Sequence, residues 1–345
     1  MSAAVHGYTA ALLLACILLA GCHQVTEYSD SGEFGAVILR ADNLEVLGYI
    51  PGMAGARSAL SLGPDKFLVG CTTGYLYEVS TDSMAITASR QVTAGSGAGL
   101  DHLLLSPLEE SVYAITGGGI LEITLEGYGA IDEIPMGVSL SDMCVSPLEL
   151  PDSLQRLYLT DSGASVIREF YAYYGEEGWV LEMPTEPRAI VDHYADPPLL
   201  LAALGDGGGI CAIDLDMAVC QQKLPGSYSD VASLSFGIWD STFCAAEPRW
   251  SEDSGRLRMG ATGQVWGDPP ECRSFSVPGH PVSVCASPEL SLPYFYAVCA
   301  DGANTVVVAL DFQLQEVVSI TELDGHPWDI APHRYGEYLV VLTSI

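Results

Sequence analysis

The feature that most constrains the fold is a pattern of turns and short strands that returns at roughly 40 to 50 residue intervals, a period typical of propeller blades or solenoid units. Each copy has a turn marked by proline or glycine, followed by an apolar run rich in Val, Ile, Tyr and Phe, which favour strands. The turns are Leu62-Gly63-Pro64, Ser106-Pro107, Ser146-Pro147, Ser287-Pro288 and Ala331-Pro332, with weaker counterparts at Asp196-Pro197 and Phe236-Gly237. No long helical stripe competes with these strands after residue 34, so the pattern predicts an all-β chain.

Counting the copies predicts a closed ring. Six complete units cover residues 56–95, 100–137, 138–184, 187–228, 229–279 and 280–325. Residues 326–345 supply two further strands, and residues 35–51 look like a third and a fourth strand that lack a first and a second. Joining the two ends completes a seventh unit and leaves no long exposed sheet edge. We therefore expect a seven-bladed β-propeller over residues 35–345, whose last blade is closed by N- and C-terminal strands.

One unit shows the residue order of a known repeat, although it lacks the Asp-Gly that follows Ser-Pro there. Residues 280–288, His-Pro-Val-Ser-Val-Cys-Ala-Ser-Pro, are followed by the aromatic run at residues 294–298, Tyr-Phe-Tyr-Ala-Val. In this order of proline, aliphatic strand, Ser-Pro and aromatic strand, the chain resembles the YVTN-repeat β-propeller family. The resemblance implies a propeller fold and, in many members, binding or scaffolding. Because one fold hosts many activities, function has to be argued from a site.

The N-terminal segment indicates export. Residues 10–20 are almost all apolar, and as a helix a run of about eleven residues would span roughly 16 Å, short of the ~30 Å needed to cross a bilayer. Such a run fits the apolar core of a signal peptide. It ends in Leu19-Ala20-Gly21-Cys22, which resembles the lipobox of bacterial lipoproteins.

This resemblance implies that residues 1–21 are a signal peptide and that Cys22 becomes the first residue, carrying diacylglycerol and a further acyl chain such as palmitate. Several acyl chains on one residue give stable membrane anchoring. Residues 22–34 have no apolar periodicity and are expected to form a lipidated tether. Since His23 stands where a retained lipoprotein has aspartate, the resemblance implies outer-membrane localisation if the organism is Gram-negative.

The charge balance limits the partners. The chain has 13 Lys and Arg against 44 Asp and Glu, a formal net charge of -31. Nucleic-acid affinity comes largely from neutralising phosphates, so we expect no nucleic-acid partner. The same field repels anionic headgroups, which leaves the acyl anchor as the main membrane contact. The charge either serves solubility or attracts cations and basic partners.

Two cysteines are candidates for a disulfide. Cys211 and Cys220 lie in a predicted hairpin and would face each other if its turn were the two residues Leu215 and Asp216. A four-residue turn would break that register. No Cys or His spacing predicts zinc.

The first strand of each blade lines a propeller's channel, and alignment of the units on their turns compares one inner position in every blade. That position holds Ala59, His102, Asp142, Ala189, Ala232, Ser283 and Asp329. His102, Asp142 and Asp329 could together hold a cation or bind a basic group. The alternative is that these polar side chains face trapped water.

A second candidate is the repeated Gly-His-Pro, at Gly279-His280-Pro281 and Gly325-His326-Pro327. Repeat equivalence places His280 and His326 on one rim, where they could form a pH-sensitive or metal-binding pair. The alternative is an echo of the repeat without function.

No residue is assigned a catalytic role, because no G-x-S-x-G, HExxH or calcium-loop spacing occurs. The sequence therefore favours a membrane-anchored binding or scaffolding module for a protein, peptide or glycan. The alternative is a propeller enzyme that uses the channel, either a lactonase-like hydrolase or a redox-cofactor enzyme, since some similar propellers have these activities. A purely structural envelope protein is a third hypothesis. Apart from the lipid on Cys22, no cofactor is expected, although a bound cation is compatible with the channel residues.

Overall fold

The computed structural model describes part of the chain. The described residues are 33–93, 99–106, 109–146, 156–172, 174–193, 199–215, 217–223, 230–237, 242–261, 272–289 and 291–345, without the side chains of residues 193 and 221–223. The signal peptide 1–21, Cys22 and the tether up to residue 32 lie outside these residues. Residues Glu33–Ile345 form one compact unit.

Within the described residues the protein is all-β, with seven four-stranded antiparallel sheets and no helix. The first strands of the blades are β3 (Ala56–Ser61), β7 (His102–Leu105), β11 (Leu140–Val145), β15 (Pro187–His193), β19 (Ser233–Phe236), β23 (His280–Ala286) and β27 (His326–Pro332). The second strands are β4 (Lys66–Cys71), β8 (Ser111–Thr116), β12 (Arg156–Asp161), β16 (Leu199–Leu204), β20 (Thr242–Glu247), β24 (Tyr294–Asp301) and β28 (Tyr338–Ser344).

The outer half of each blade follows the same order. The third strands are β1 (Phe34–Arg40), β5 (Tyr75–Ser80), β9 (Gly119–Thr124), β13 (Val166–Tyr171), β17 (Gly209–Asp214), β21 (Arg256–Ala261) and β25 (Asn304–Asp311). The fourth strands are β2 (Val46–Pro51), β6 (Ala85–Gln91), β10 (Ala130–Pro135), β14 (Glu176–Glu182), β18 (Val219–Lys223), β22 (Arg273–Ser276) and β26 (Glu316–Asp324). We number the blades 1 to 7 from β3, so blade 7 consists of β27, β28, β1 and β2.

The blades close into a ring. Each first strand contacts the first strands of the two neighbouring blades, and β27 contacts β3. In blade 7, β1 pairs with β28 from Phe34 opposite Ser344 to Arg40 opposite Tyr338. The predicted seven-bladed propeller, closed by N- and C-terminal strands, is confirmed.

The core lies between the blades. Seven apolar clusters are present among the described residues, each made from two neighbouring blades. Strands β8, β16 and β17 are buried along their whole length because both of their faces pack against other blades. This is why the second and third strands are continuous apolar runs in the sequence. The fourth strand β26 alternates between exposed and partly buried residues, as expected of an outer edge.

The turn predicted at Ala331-Pro332 begins two residues later, at His333, so this prediction is wrong by two positions. In blade 6 the amide of Ser287 donates to Tyr294 O, and the equivalent bond in blade 7 runs from His333 N to Tyr338 O at 2.7 Å. Pro332 is instead the last residue of β27. His333 is fully buried and packs against Phe67, so a bulky ring occupies the place that serine holds in blades 2, 3 and 6.

The hairpin that contains Cys211 and Cys220 does not have the two-residue turn considered above. Its strands β17 and β18 are joined by the four residues 215–218, and Cys220 pairs with Ile213. A register shift follows Ala212, and Cys211 is disulfide-bonded to Cys220 with the two Cα atoms 6.1 Å apart. The bridge therefore joins diagonal neighbours instead of directly opposite residues.

Candidate functional site

The channel wall is built from one equivalent residue in every first strand, which we call the ring positions. In five blades a register shift just before this residue turns its side chain toward the next blade. The ring positions are Ser58, His102, Asp142, Ala189, Ser233, Ser283 and Asp329, as the register and the bonds below define them.

Two of the expected positions are corrected by this assignment. Ser58 takes the place expected for Ala59, and Ser233 takes the place expected for Ala232. The following turns explain both errors. Leu62 N donates to Lys66 O and Gly237 N to Thr242 O, as Ser106 N does to Ser111 O, so Leu62 and Gly237 hold the place of the serine in Ser-Pro. Counting back from Pro64, or from Gly237 as if it were the proline, therefore misplaces the ring position by one residue. The other five expected residues are at the ring positions.

A repeated hydrogen bond joins the blades at these positions. The acceptor is the side chain at the ring position of one blade. The donor is a backbone N–H in the next blade, on the residue that directly follows its ring position. The four bonds are Leu103 N to Ser58 Oγ at 3.0 Å, Ile190 N to Asp142 Oδ2 at 2.8 Å, Val284 N to Ser233 Oγ at 3.2 Å and Ala59 N to Asp329 Oδ2 at 2.9 Å. Two more contacts join ring side chains directly, Ser283 Oγ donating to Asp329 Oδ1 at 2.8 Å and His102 Nδ1 lying 3.2 Å from Asp142 Oδ1.

These contacts satisfy a structural requirement. A first strand has a partner on one side only, so its other edge turns N–H groups toward the channel. A part-buried N–H without an acceptor would cost free energy comparable to a lost hydrogen bond. The polar ring residues supply those acceptors. Ala189, which has no polar group, shows that one interface does without this contact.

The structure brings His102, Asp142 and Asp329 near one another. Burial raises the pKa of Asp142, and this is opposed by His102 and by the N–H groups of Ile190 and Met143. Burial also raises the pKa of Asp329, opposed by Ala59 N–H, by the Ser283 hydroxyl and, more weakly, by His102.

The carboxylate oxygens of this trio are already engaged. Both oxygens of Asp142 and both of Asp329 accept hydrogen bonds from the protein. Across the described ranges, no three His, Cys, Asp or Glu side chains are grouped so that they could hold a metal ion. The arrangement can hold blades together, and His102 beside Asp142 is the one pair with the geometry of an acid and a base.

The two rim histidines have separate contacts. His280 donates from Nδ1 to Pro248 O at 2.6 Å, and its ring lies 4.8 Å from that of Trp250. The ring of His326 lies 5.0 Å from that of Trp328, and burial, followed by the charge of Arg57, lowers the pKa of His326.

Their glycines explain why the Gly-His-Pro motif recurs. Gly279 and Gly325 have φ of +68° and +90°, and an added Cβ would lie 2.4 Å from Ala300 O and 2.5 Å from Ser344 O. Only glycine fits such a close approach at positive φ. The motif thus has a backbone cause in both blades.

Some contacts at the channel and rim cannot be recognised from the sequence. Arg57 holds its guanidinium carbon 3.3 Å from the centroid of the Trp328 ring, a contact between blades 1 and 7. Asp192 near the end of β15 has its pKa raised to about 6 by burial, and its charge helps to raise the pKa of Cys144 in blade 3. Since the partners come from different repeats, no local motif indicates either pair.

Comparisons with known proteins support the fold only. No family model matches the chain, and no curated protein matches it. Among solved structures, a chain of the Kuenenia stuttgartiensis hydrazine synthase is similar, with a TM-score of 0.67 and 13% identity over 84% of this chain and 95% of that one. At this identity the likeness defines a class, the seven-bladed β-propellers, and nothing finer. No helix of membrane-spanning length and apolarity occurs in the described ranges.

Proposed function

We propose that this protein is an exported, lipid-anchored propeller that binds a protein, peptide or glycan partner and does not itself catalyse a reaction. The observation that carries the proposal is the engagement of all six polar ring residues in contacts between blades. Groups that a channel enzyme would need as free acids, bases or ligands are occupied by the fold. A rigid disc with many loops is well suited to present a binding surface.

The anchor part of the proposal rests on Leu19-Ala20-Gly21-Cys22. Because β1 begins at Phe34, the eleven residues 23–33 separate Cys22 from the first strand. Fully extended, about eleven residues reach roughly 40 Å. This is the largest separation that the tether would allow between the acylated residue and the propeller.

Metabolic labelling with an alkyne analogue of palmitate tests the anchor. The full chain is expected to take up the label and to fractionate with membranes, and Cys22→Ser to lose both properties. Cys16→Ser, which removes the other cysteine of the leader, is the matched control and should stay labelled. Label on the Cys22→Ser chain would contradict lipidation at this residue.

Cross-linked purification of the chain from gently solubilised envelopes tests binding. The control is residues 1–34 fused to an unrelated soluble domain, which subtracts proteins recovered through the anchor alone. The proposal predicts a defined partner that the control does not recover. Recovery of monomer and lipid alone, together with turnover of a small substrate, would contradict it.

The alternative is a channel enzyme, lactonase-like or using a redox cofactor, and it is favoured by the 3.2 Å approach of His102 to Asp142. A screen of lactones with and without divalent metal, repeated on His102→Ala, separates the two functions. Binding without catalysis predicts no turnover in either chain. Hydrolysis that disappears in His102→Ala would establish the enzyme instead.

A further inference from the structure

A cleft lies between blades 6 and 7, and we call it the acidic cleft. Its volume is about 620 Å³, within the usual range for ligand sites. Its walls are the turn after β1, the loop between β23 and β24, and the loop between β27 and β28. Its acidic, aliphatic and aromatic residues are Asp42, Leu47, Glu289, Leu292, Glu337 and Tyr338.

The walls are held in place by contacts within blade 7 and between blades 6 and 7. Ala41 N donates to Glu337 O at 3.1 Å, and Tyr296 Oη of blade 6 donates to Ala41 O at 2.9 Å. Gly336 has φ of +78°, and an added Cβ would lie only 2.5 Å from the Cβ of Glu289. The two loops therefore meet at van der Waals distance, and the cleft is formed before any partner arrives.

The charge of the cleft is negative and largely uncompensated. Its one cation, Arg40, is bound by Asp42 through Nε at 3.2 Å and a terminal nitrogen at 2.9 Å. Among the described residues, no Lys, Arg or His lies within ion-pair distance of Glu289 or Glu337. Glu289 accepts a hydrogen bond from the Ser291 hydroxyl, which is neutral, so the negative charge of both carboxylates remains available to a cation from outside.

Apolar and aromatic side chains also line the cleft. Leu292 and Tyr338 are partly buried and Leu47 is 38% exposed, so aliphatic and aromatic surface lies beside the carboxylates. A lysine or arginine side chain has the complementary form, with an apolar stem and a charged end. An arginine would also stack on a tyrosine ring and bind a carboxylate through two bonds.

We infer that the acidic cleft binds a basic peptide segment of the partner protein, with its Lys or Arg side chains against Glu289 and Glu337. This inference rests on the proposed binding function and names its site and ligand chemistry. The net charge of -31 would speed the approach of such a segment, and the cleft would select it.

Fluorescence anisotropy with the detergent-solubilised full chain tests the site. The probe is a labelled ten-residue peptide with two arginines among leucine and serine, and its matched form carries glutamine in place of arginine. We expect the basic peptide to bind at least about tenfold more tightly than its glutamine form, and binding to weaken as salt rises. Equal binding of the two peptides, or no binding of either, would overturn the inference.

Two double variants separate the cleft from the general field. Glu289→Gln with Glu337→Gln should weaken binding of the basic peptide about tenfold, while Glu126→Gln with Glu133→Gln, exposed in blade 2, should change it less than about twofold. Both remove two charges, and thermal unfolding checks that both fold. An equal loss in the two variants would refute the site. If the cleft variant still recovers the envelope partner, the proposed function stands and the cleft assignment fails.

Discussion

Asp329 shows how one residue can be both conspicuous in the sequence and structural in the fold. Its carboxylate accepts bonds from Ala59 N, Ser283 Oγ and Ile330 N, so it joins blades 6, 7 and 1. A polar residue facing a channel suggests a ligand site. The bonds it makes also give it a structural role in closing the ring.

Replacing Asp329 tests this role. Asp329→Ala leaves the Ala59 amide and the Ser283 hydroxyl without their acceptor, and we expect a loss of about 2 to 4 kcal/mol in the free energy of unfolding. Ser58→Ala removes a single acceptor, that of Leu103 N, and should cost about 1 kcal/mol. Urea unfolding of both variants is the measurement. If Asp329→Ala costs no more than Ser58→Ala, the structural role of its carboxylate is wrong.

The raised pKa of Asp192 predicts that the free energy of unfolding depends on pH. Burial raises its folded pKa to about 6, so its neutral form is favoured by folding. That stabilisation is complete below about pH 4, the range of an unfolded aspartate, and is lost as the pH rises through about 6. Asp192→Asn should therefore gain stability relative to the natural protein across this window, by about 2 kcal/mol at pH 7.5.

Urea unfolding between pH 4 and pH 8 measures the effect. Asp132→Asn, which removes an exposed carboxylate on β10, is the matched control for the loss of one charge. A difference between Asp192→Asn and the natural protein that does not change with pH would contradict the effect of burial on Asp192.

For single residues, the sequence indicates which positions hold polar side chains but does not indicate their hydrogen-bond partners. His102, Asp142 and Asp329 stand out because they are polar among small inner residues. Their bonds are not predictable, because Asp142 reaches 48 residues along the chain to Ile190 and Asp329 reaches 270 residues back to Ala59. Whether they also serve a ligand stays a prediction to be tested with His102→Ala.

At the scale of the element, the Cys211 hairpin shows the limit of local rules. A two-residue turn would place Cys211 directly opposite Cys220. The structure instead has a four-residue connection and a register shift, and the disulfide joins the two cysteines as diagonal neighbours. Apolar runs located the second strands well because both of their faces are buried. The inner positions of the first strands are harder to predict, since a turn that differs by one residue, as in blades 1 and 5, moves the predicted position to a side chain on the opposite face.

The disulfide should stabilise this hairpin measurably. Cys211→Ser with Cys220→Ser opens a loop of about ten residues in the unfolded chain, and we expect a loss of about 2 to 3 kcal/mol. Reductant should lower the urea midpoint of the natural protein toward that of the double variant. If reductant shifts the double variant as well, another bridge is responsible for the effect.

At the scale of the whole molecule, the two terminal segments of the propeller pair with each other and close the ring. Blade 7 takes its inner strands from residues near the C-terminus and its outer strands from residues after the tether, so the ring closes by pairing β28 with β1. This closure was predictable because an incomplete unit stands at each end of the chain. The function was not, since no motif names a ligand and each contact that defines the ring or the acidic cleft joins distant segments.

Ring closure is the central claim, and amide hydrogen exchange of residues Phe34–Arg40 in the intact protein tests it most directly. If β1 lies between β2 and β28 and is buried against two blades, its amides should exchange as slowly as those of β16, a fully buried second strand. Exchange of Phe34–Arg40 at the rate of an unpaired segment, while β16 stays protected, would contradict the closed ring.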